Sequence, residues 1–325
     1  MLSARRTLWP TIGYYLRRPS FLPSEKPALF TMNILPPMMI VWHHCVQKHL
    51  GDAVDVVIFD CSGKLHAEEF PGARVQKFLN FYAATKSDEF LRHIAKHRRI
   101  GWICDDDVFP ISGDMLPILQ REFQVEKTAS VSFKPRTWWH FDIDGTSAAP
   151  SGSYCIAFDR RIFVEEEGLS LAPMDGNPHP ADVGRPPGRY DTADKANEIL
   201  LRKGYRCAIV EREERERCVA AFSGMSGAVM LLSSFRRPEQ VVSYYQSPEK
   251  KQWGGNVLYG TLASMLAICT IQECYEQLRG KRYPLPSLPS RKELEKIRHE
   301  HEPYLRSDQS FAWVDEQGDK LKQAL

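Results

Sequence analysis

The 325-residue sequence contains no run of about twenty apolar residues, the length an α-helix needs to cross a bilayer. Its nearest approach, Val257 to Ile271, is interrupted by Gly260, Thr261, Ser264 and Thr270 and reads as a buried core helix. CxxC pairs are also missing. The eight cysteines, at 45, 61, 104, 155, 207, 218, 269 and 274, are scattered and several sit inside apolar runs, which predicts reduced, buried thiols in a cytoplasmic protein. Nor is there an excess of charge of one sign. The 43 Lys and Arg against 41 Asp and Glu leave a net charge of +2, far from the basic surplus of a dedicated nucleic-acid binder, so no nucleic-acid partner is expected. The first thirty residues lack the continuous apolar core of a signal peptide. They carry Arg5, Arg6, Arg17 and Arg18 among Trp9, Tyr14, Tyr15 and Phe21. Two readings stay open for residues 1–26: a solvated arm, or a basic and aromatic segment touching the inner face of a membrane.

What is present is the composition of a globular protein with a full core, 43% hydrophobic and 26% charged. Strand and helix signals then alternate. Leu29 to Asn33 is a short apolar run, Pro36-Pro37 starts a helix that Gly51 closes, and Val54 to Asp60 reads as a buried strand, completing a βαβ unit. A second helix is expected from about Asn80 to Arg99, followed at once by the apolar strand Ile100 to Cys104. Ser112 caps a further helix, Thr128 to Phe133 and Ser153 to Phe158 read as strands, and residues 171–189 form a loop rich in proline and glycine. Asp191 opens a helix closing at Gly204, and Cys207 to Val210 is the last strand. This order predicts an α/β catalytic domain over residues 27–235 and a helical extension over 236–325, whose helices are the expected place for any homo-oligomer contact.

Behind the strand Ile100 to Cys104 stand Asp105, Asp106 and Asp107, at the edge where open parallel sheets bind ligands. Three adjacent carboxylates repel one another and nothing about ending a strand requires them, so a cation is the simplest compensation. Carboxylates at i and i+2 on a turn suit a hard octahedral ion, Mg²⁺ or Mn²⁺, and leave positions for phosphate oxygens. The run resembles the DxD element of GT-A glycosyltransferases of the family 2-like kind. That resemblance implies a Rossmann-like mixed sheet flanked by helices. It also implies a nucleotide-diphosphate sugar as donor, a hydroxyl of a glycan, lipid-linked or small molecule as acceptor, and inverting transfer. Carried over, Asp105 meets nucleotide and metal, Asp107 is the metal ligand and Asp106 is a further nucleotide-sugar contact. A second, partial resemblance covers Tyr190 to Asp194 and Leu200 to Arg206. The Glu-Asp pair frequent in the family is absent there, and Asp191 or Asp194 takes its place as the base for the acceptor hydroxyl. Asn33 and Asp60 close the first two strands, where the family holds base and ribose. The resemblances together span about residues 27 to 235.

Other motifs compete. Phe141-Asp142-Ile143-Asp144-Gly145-Thr146 spells the DxDGT of haloacid-dehalogenase-like phosphatases, with Asp142 as nucleophile and Asp144 as acid/base, although residues 134–140 are not the apolar strand that should aim a nucleophile. Under the transferase reading, Trp138, Trp139, His140 and Asp142 are instead sugar or acceptor contacts, through ring faces and a hydroxyl-accepting carboxylate. A sugar nucleotidyltransferase of similar fold is the other alternative, but the glycine-rich basic segment for its triphosphate is missing near Ala28 to Met38. Cys45 and His49 have the i, i+4 spacing of a metal pair without a second pair to complete it, so His43, His44, Cys45 and His49 read as a helix face. Phe222 to Gly227 reads as a glycine-rich packing turn before a diphosphate cradle.

Overall fold

A computed structural model describes residues 2–134, 140–175, 189–247, 256–301 and 309–325. The chain forms two compact units. The first comprises Met1–Asn33, Gln47–Asp106 and Ser112–Val219; the second comprises Ile34–Val46, Asp107–Ile111 and Ala220–Leu325.

The first unit opens with helix α1 (Leu2–Arg17), where the sequence predicts an arm. Its inner face buries Thr7, Thr11 and Tyr14. Tyr14 makes edge contacts with Phe59 and Phe78, whose own rings stack at 4.1 Å. Strand β1 (Ala28–Asn33) follows, and helix α2 (Pro36–His49) leads away from it to β2 (Asp55–Asp60) and β3 (Ala73–Lys77). Helix α3 (Ala83–Glu89) runs into a wide π-type turn at Phe90–Ile94 and ends well short of the expected Arg99. Then come β4 (Ile100–Cys104), β5 (Val108–Pro110), which belongs to the second unit, α4 (Met115–Gln124), β6 (Thr128–Ser132), the hairpin β7 (Phe141–Ile143) and β8 (Thr146–Ala148), and β9 (Cys155–Asp159). The unit closes with the short pair β10 (Met174–Asp175) and β11 (Arg189–Tyr190), helix α5 (Asp194–Arg202), β12 (Arg206–Ile209) and α6 (Arg212–Cys218).

Seven of these strands form one sheet in the order β12-β6-β9-β4-β1-β2-β3. All neighbours are parallel except β9, which runs against both β4 and β6. The Rossmann-like mixed sheet that the sequence predicts is therefore present, with one strand more than expected. The addition is β3, whose Ala73-Arg74-Val75-Gln76-Lys77 is half-buried throughout and lacks the apolar run that announces β2 and β4. Gly101 is glycine for a steric reason: a Cβ there would stand 2.5 Å from Leu91 Cδ2, so its absence lets the π-type turn press against β4.

The second unit holds the first part of α2, β5 with its partner β13 (Val219–Ala221), and helices α7 (Met225–Ser234), α8 (Pro238–Gln246), α9 (Asn256–Arg279), α10 (Arg291–His301) and α11 (Gln309–Ala324). The Trp42 indole donates to the Val108 carbonyl at 3.0 Å. Helix α11 satisfies both backbone groups of Ala221: Gln317 Oε1 accepts from its N–H and the Trp313 indole donates to its carbonyl, each at 3.0 Å. The weak apolar stripe expected in the charged tail is Leu294 and Ile297 on α10, then Phe311, Val314 and Leu321 on α11, all buried within this unit. No described helix is long and apolar enough to cross a membrane. All eight cysteines are thiols without a disulfide; seven are buried and Cys207 is half-buried.

Asp60 at the end of β2 is wholly buried and organises the turn that follows. Its Oδ1 accepts from Asn33 Nδ2 at 3.2 Å, the Ser62 amide at 3.0 Å, Ser62 Oγ at 2.6 Å and the Gly63 amide at 3.0 Å, while Oδ2 accepts from the Leu65 amide at 3.0 Å. Gly63 turns with φ +66°, and a Cβ on it would meet Arg6 Cβ at 2.7 Å, so α1 docks directly over the turn. Removing the carboxylate leaves three buried amides without acceptors, each worth about 1–3 kcal/mol. Asp60→Ala is therefore expected to lose about 3 kcal/mol or more in urea denaturation, and Asp60→Asn, which keeps an acceptor oxygen, distinctly less.

Candidate active site

The chain runs β1, β2, β3 to one side and then returns to set β4 on the other side of β1, so the strand order reverses between β1 and β4. Open α/β sheets bind ligands at the carboxyl ends of the strands at such a point. A pocket of ≈ 160 Å³ lies there, with Met32 of β1, Ile103 of β4 and Ile156 of β9 among its lining residues. Asp105 lines it on one side and Asp191 with Thr192 on another. The volume falls below the about 300–1,000 Å³ of pockets that enclose a whole ligand.

Asp105 is placed by the sheet. Its amide donates to the Tyr154 carbonyl at 2.7 Å, extending the β4–β9 pairing by one residue past Cys104. Asp106 and Asp107 form the turn that follows, and all three aspartates are half-buried. Within the second unit the Asp107 carbonyl accepts from the Phe222 amide at 2.9 Å. Among the described residues no three His, Cys, Asp or Glu side chains converge into a metal cluster. The aspartate run is a set of hard oxygen donors, which fits a cation completing its shell with phosphate oxygens of a ligand.

Asp191 is placed by a relay of hydrogen bonds. Asp88 on α3 accepts from the Leu171 amide at 2.9 Å and from Ser170 Oγ at 2.5 Å, and burial raises its carboxyl above the ordinary range despite those two donors. The Leu171 carbonyl in turn accepts from the Ala193 amide at 3.0 Å, holding Ala193 in a left-handed conformation with φ +67°. Strained non-glycine backbone of this kind concentrates at functional sites. Just upstream, Tyr190 donates to Glu198 at 2.6 Å. Burial works against ionisation of Glu198, but donation from Lys195, Tyr190 and Arg202 outweighs it and holds the carboxyl below its usual range.

Helix α5 starts at Asp194, three residues later than expected, and its cap residue is Ala193. Asp191 is thus not the N-cap. It is exposed, and its Oδ1 accepts from the Thr192 amide at 2.8 Å and from the Tyr82 hydroxyl at 3.3 Å. Asp194 is buried, and its Oδ2 accepts from the Asp191 amide at 2.9 Å. Of the two expected bases, one faces the pocket and the other braces it.

Asn33 and Asp60 are brought together, but by each other, and neither lines the pocket. Lys86, which the sequence reading passed over, is buried beside them. Its ammonium donates to Asn80 Oδ1 at 2.9 Å and to Cys61 Sγ at 3.4 Å, while burial pushes the Cys61 thiol up against the opposing effect of Lys86. Tyr82 and Ser87 were also missed: they lie within the helix expected from about Asn80, but neither belongs to a motif that marks a site. Trp138 and Trp139 lie outside the described residues. His140 and Asp142 are exposed. On the second unit's Phe222 to Gly227 run, Gly224 has φ +71° and caps α7, and Ser264 Oγ donates to the Ser223 carbonyl at 2.8 Å, a packing turn.

The DxDGT run is a hairpin. Asp144 and Gly145, at φ +52° and +82°, form its two-residue loop, and Asp142 Oδ1 accepts from the Gly145 amide at 2.8 Å. Positive φ at both loop positions is the type I′ signature of tight β-hairpins, not of a nucleophile at the end of a central parallel strand.

Sheet order, the single antiparallel strand and a pocket at the reversal point define a mixed, mostly parallel Rossmann-like α/β scaffold. No protein-family model matches the chain, and no curated protein matches it. Among solved structures, similarity is found to the mannosyltransferase PcManGT from Pyrobaculum calidifontis in complex with GDP-Man and Mn²⁺, at 16% identity and TM-score 0.42 over 98% of this chain and 96% of that one. It extends to S. aureus TarS 1–349, at 8% identity and TM-score 0.36 over 92% and 90% of the two chains. A cytidylyltransferase from Leptospira borgpetersenii matches at 11% identity and TM-score 0.34 over 59% and 77%.

Asp142→Asn keeps the oxygen that accepts from Gly145, so the hairpin should survive unchanged. Hydrolysis of p-nitrophenyl phosphate is expected at background for both proteins; strong wild-type hydrolysis that vanishes in the variant would restore Asp142 as a nucleophile.

Proposed function

We propose that this chain is a metal-dependent glycosyltransferase that moves a sugar from a nucleotide-diphosphate donor to an acceptor hydroxyl with inversion. The observation that carries this reading is the meeting of Asp105 and Asp191 in one pocket at the reversal point of the sheet. Two carboxylates from distant parts of the sequence there serve separate tasks, one toward the donor and one toward the acceptor. The GDP-Man complex of the mannosyltransferase named above is consistent with such a donor.

Asp105 and Asp107 would hold Mn²⁺ or Mg²⁺, with Asp106 beside them toward the nucleotide sugar. When bound, the cation supplies positive charge against the diphosphate that leaves with the nucleotide. The protein's own part is proton removal and orientation. Asp191 takes the proton of the acceptor hydroxyl as the new glycosidic bond forms, and the Tyr82 hydroxyl holds its carboxylate in one orientation. Asp194 keeps the Asp191 backbone in place. His140 and Asp142 are exposed and available to contact an acceptor, and Trp138 and Trp139 are proposed beside them. A nucleotidyltransferase would need a basic, glycine-rich phosphate loop behind β1, and Ile34-Leu35-Pro36-Pro37-Met38 offers none.

Titration calorimetry with UDP, GDP, CDP and dTDP, each with and without Mn²⁺, tests the reading. One nucleotide should bind in a metal-dependent way to the wild type, and Asp107→Ala should abolish that binding while leaving the protein folded; unchanged affinity in the variant would remove the central claim.

Asp191→Asn preserves the acceptor for Thr192 and Tyr82 but cannot take a proton. Near-normal melting and donor binding are expected, with transfer slowed by roughly a hundredfold or more. A variant that transfers at close to the wild-type rate would move the base elsewhere.

A further inference from the structure

Helix α1 has two faces. At about 100° per residue, Thr7, Thr11 and Tyr14 share one side, while Leu8, Trp9, Ile12 and Leu16 occupy the opposite side within an arc of about 100°. The first set is buried and the second is not: Trp9 is 74% and Leu16 82% exposed, with Leu8 and Ile12 exposed as well. Trp9 and Leu16 leave most of their surface in solvent, while Leu8 and Ile12, at 42% and 40%, keep part of theirs exposed beside them, and single exposed apolar residues do not ordinarily line up in this way.

Charge tells what covers it. Among the first 24 residues there are four arginines and no Asp or Glu. Arg5, Arg6 and Arg17 are exposed on α1, whereas Arg18, just past its end, is paired with Glu89 at 3.5 Å and is not part of the outer face. An amphipathic helix with Trp and Leu on one side, arginines around it and no acidic residue is the composition that lies in the interface of an anionic bilayer. There the tryptophan sits at headgroup depth and the guanidinium groups meet lipid phosphates. We propose that the outer face of α1 is a membrane-docking surface selective for anionic lipid, which places this protein on the bilayer as a peripheral protein. The proposal is independent of the sugar-transfer reading, because none of these side chains lines the pocket. Docking through a helix already fixed to the sheet requires no coupled folding, so binding should be fast and reversible.

Co-sedimentation of the full chain with vesicles of phosphatidylcholine, alone or with about one-third phosphatidylserine, tests it. The wild type should pellet with the anionic vesicles and remain in solution with the neutral ones. Trp9→Ala/Leu16→Glu should weaken that binding at least about tenfold, and Arg5→Glu/Arg17→Glu should remove the preference for phosphatidylserine, each with an unchanged melting temperature. Equal pelleting of wild type and Trp9→Ala/Leu16→Glu would overturn the proposal. So would a wild type that ignores anionic vesicles but forms a concentration-dependent dimer that the same substitutions dissociate, which would make the face a contact between copies.

Discussion

β1 is hydrogen-bonded on both sides, to β2 along its full length and to β4 through Ala28, Leu29 and Phe30. The pocket depends on that double pairing. The chain can place strands on both flanks of β1 only by reversing its direction of travel across the sheet, and in open α/β sheets ligands bind at such a reversal point. Burial enforces the arrangement: Leu29, Phe30, Trp102 and Cys104 are inaccessible to solvent, and Phe30 stacks on Phe90 at 4.9 Å. Asp105 is then the first residue past the buried strand, with no freedom to be elsewhere.

Two buried acidic side chains show how polar groups hold this framework. Asp60 spends both oxygens on the turn behind β2, and Asp194 gives an oxygen to the amide of Asp191. Neither is a surface charge: Asp60 meets donors that would otherwise go unpaired in a dry interior, and Asp194 fixes the backbone of Asp191 at the edge of it. The exposed carboxylate of Asp191 differs in kind: its Oδ1 accepts from the Thr192 amide and the Tyr82 hydroxyl at the rim of the pocket, not in the interior.

Apolar runs made β1, β2, β4, β6 and β9 legible in the sequence, and with them the position of the aspartate run. Their strands are buried on both faces, so composition alone announces them. β3 was illegible because a terminal strand needs no such run. Asp191 was singled out by its place between a proline-rich loop and a helix, but the helix opens three residues later than expected, because the left-handed Ala193 that delays it leaves no trace in composition. Asp60, expected as a ligand contact, has both carboxylate oxygens engaged by its own turn, and a carboxylate at a strand end looks the same in sequence whether it faces a ligand or folds back in this way. For the competing reading of Asp142 as a nucleophile, Asp144-Gly145, a tight-turn pair, carried a signal against it.

The aromatic stack of Tyr14, Phe59 and Phe78 joins α1 to the two strands at one end of the sheet. Side chains of β3 reach the same segment, Arg74 to the carbonyls of Pro19 and Ser20 and Gln76 to that of Pro10. Stripping away the first twenty residues would therefore do more than trim an appendage. It would bare a ring cluster beside a terminal strand whose outer backbone groups have no strand to pair with, the combination from which chains recruit one another into aggregates. Solubility of the folded sheet is thus a property that the first helix guards, whatever else its outer face touches.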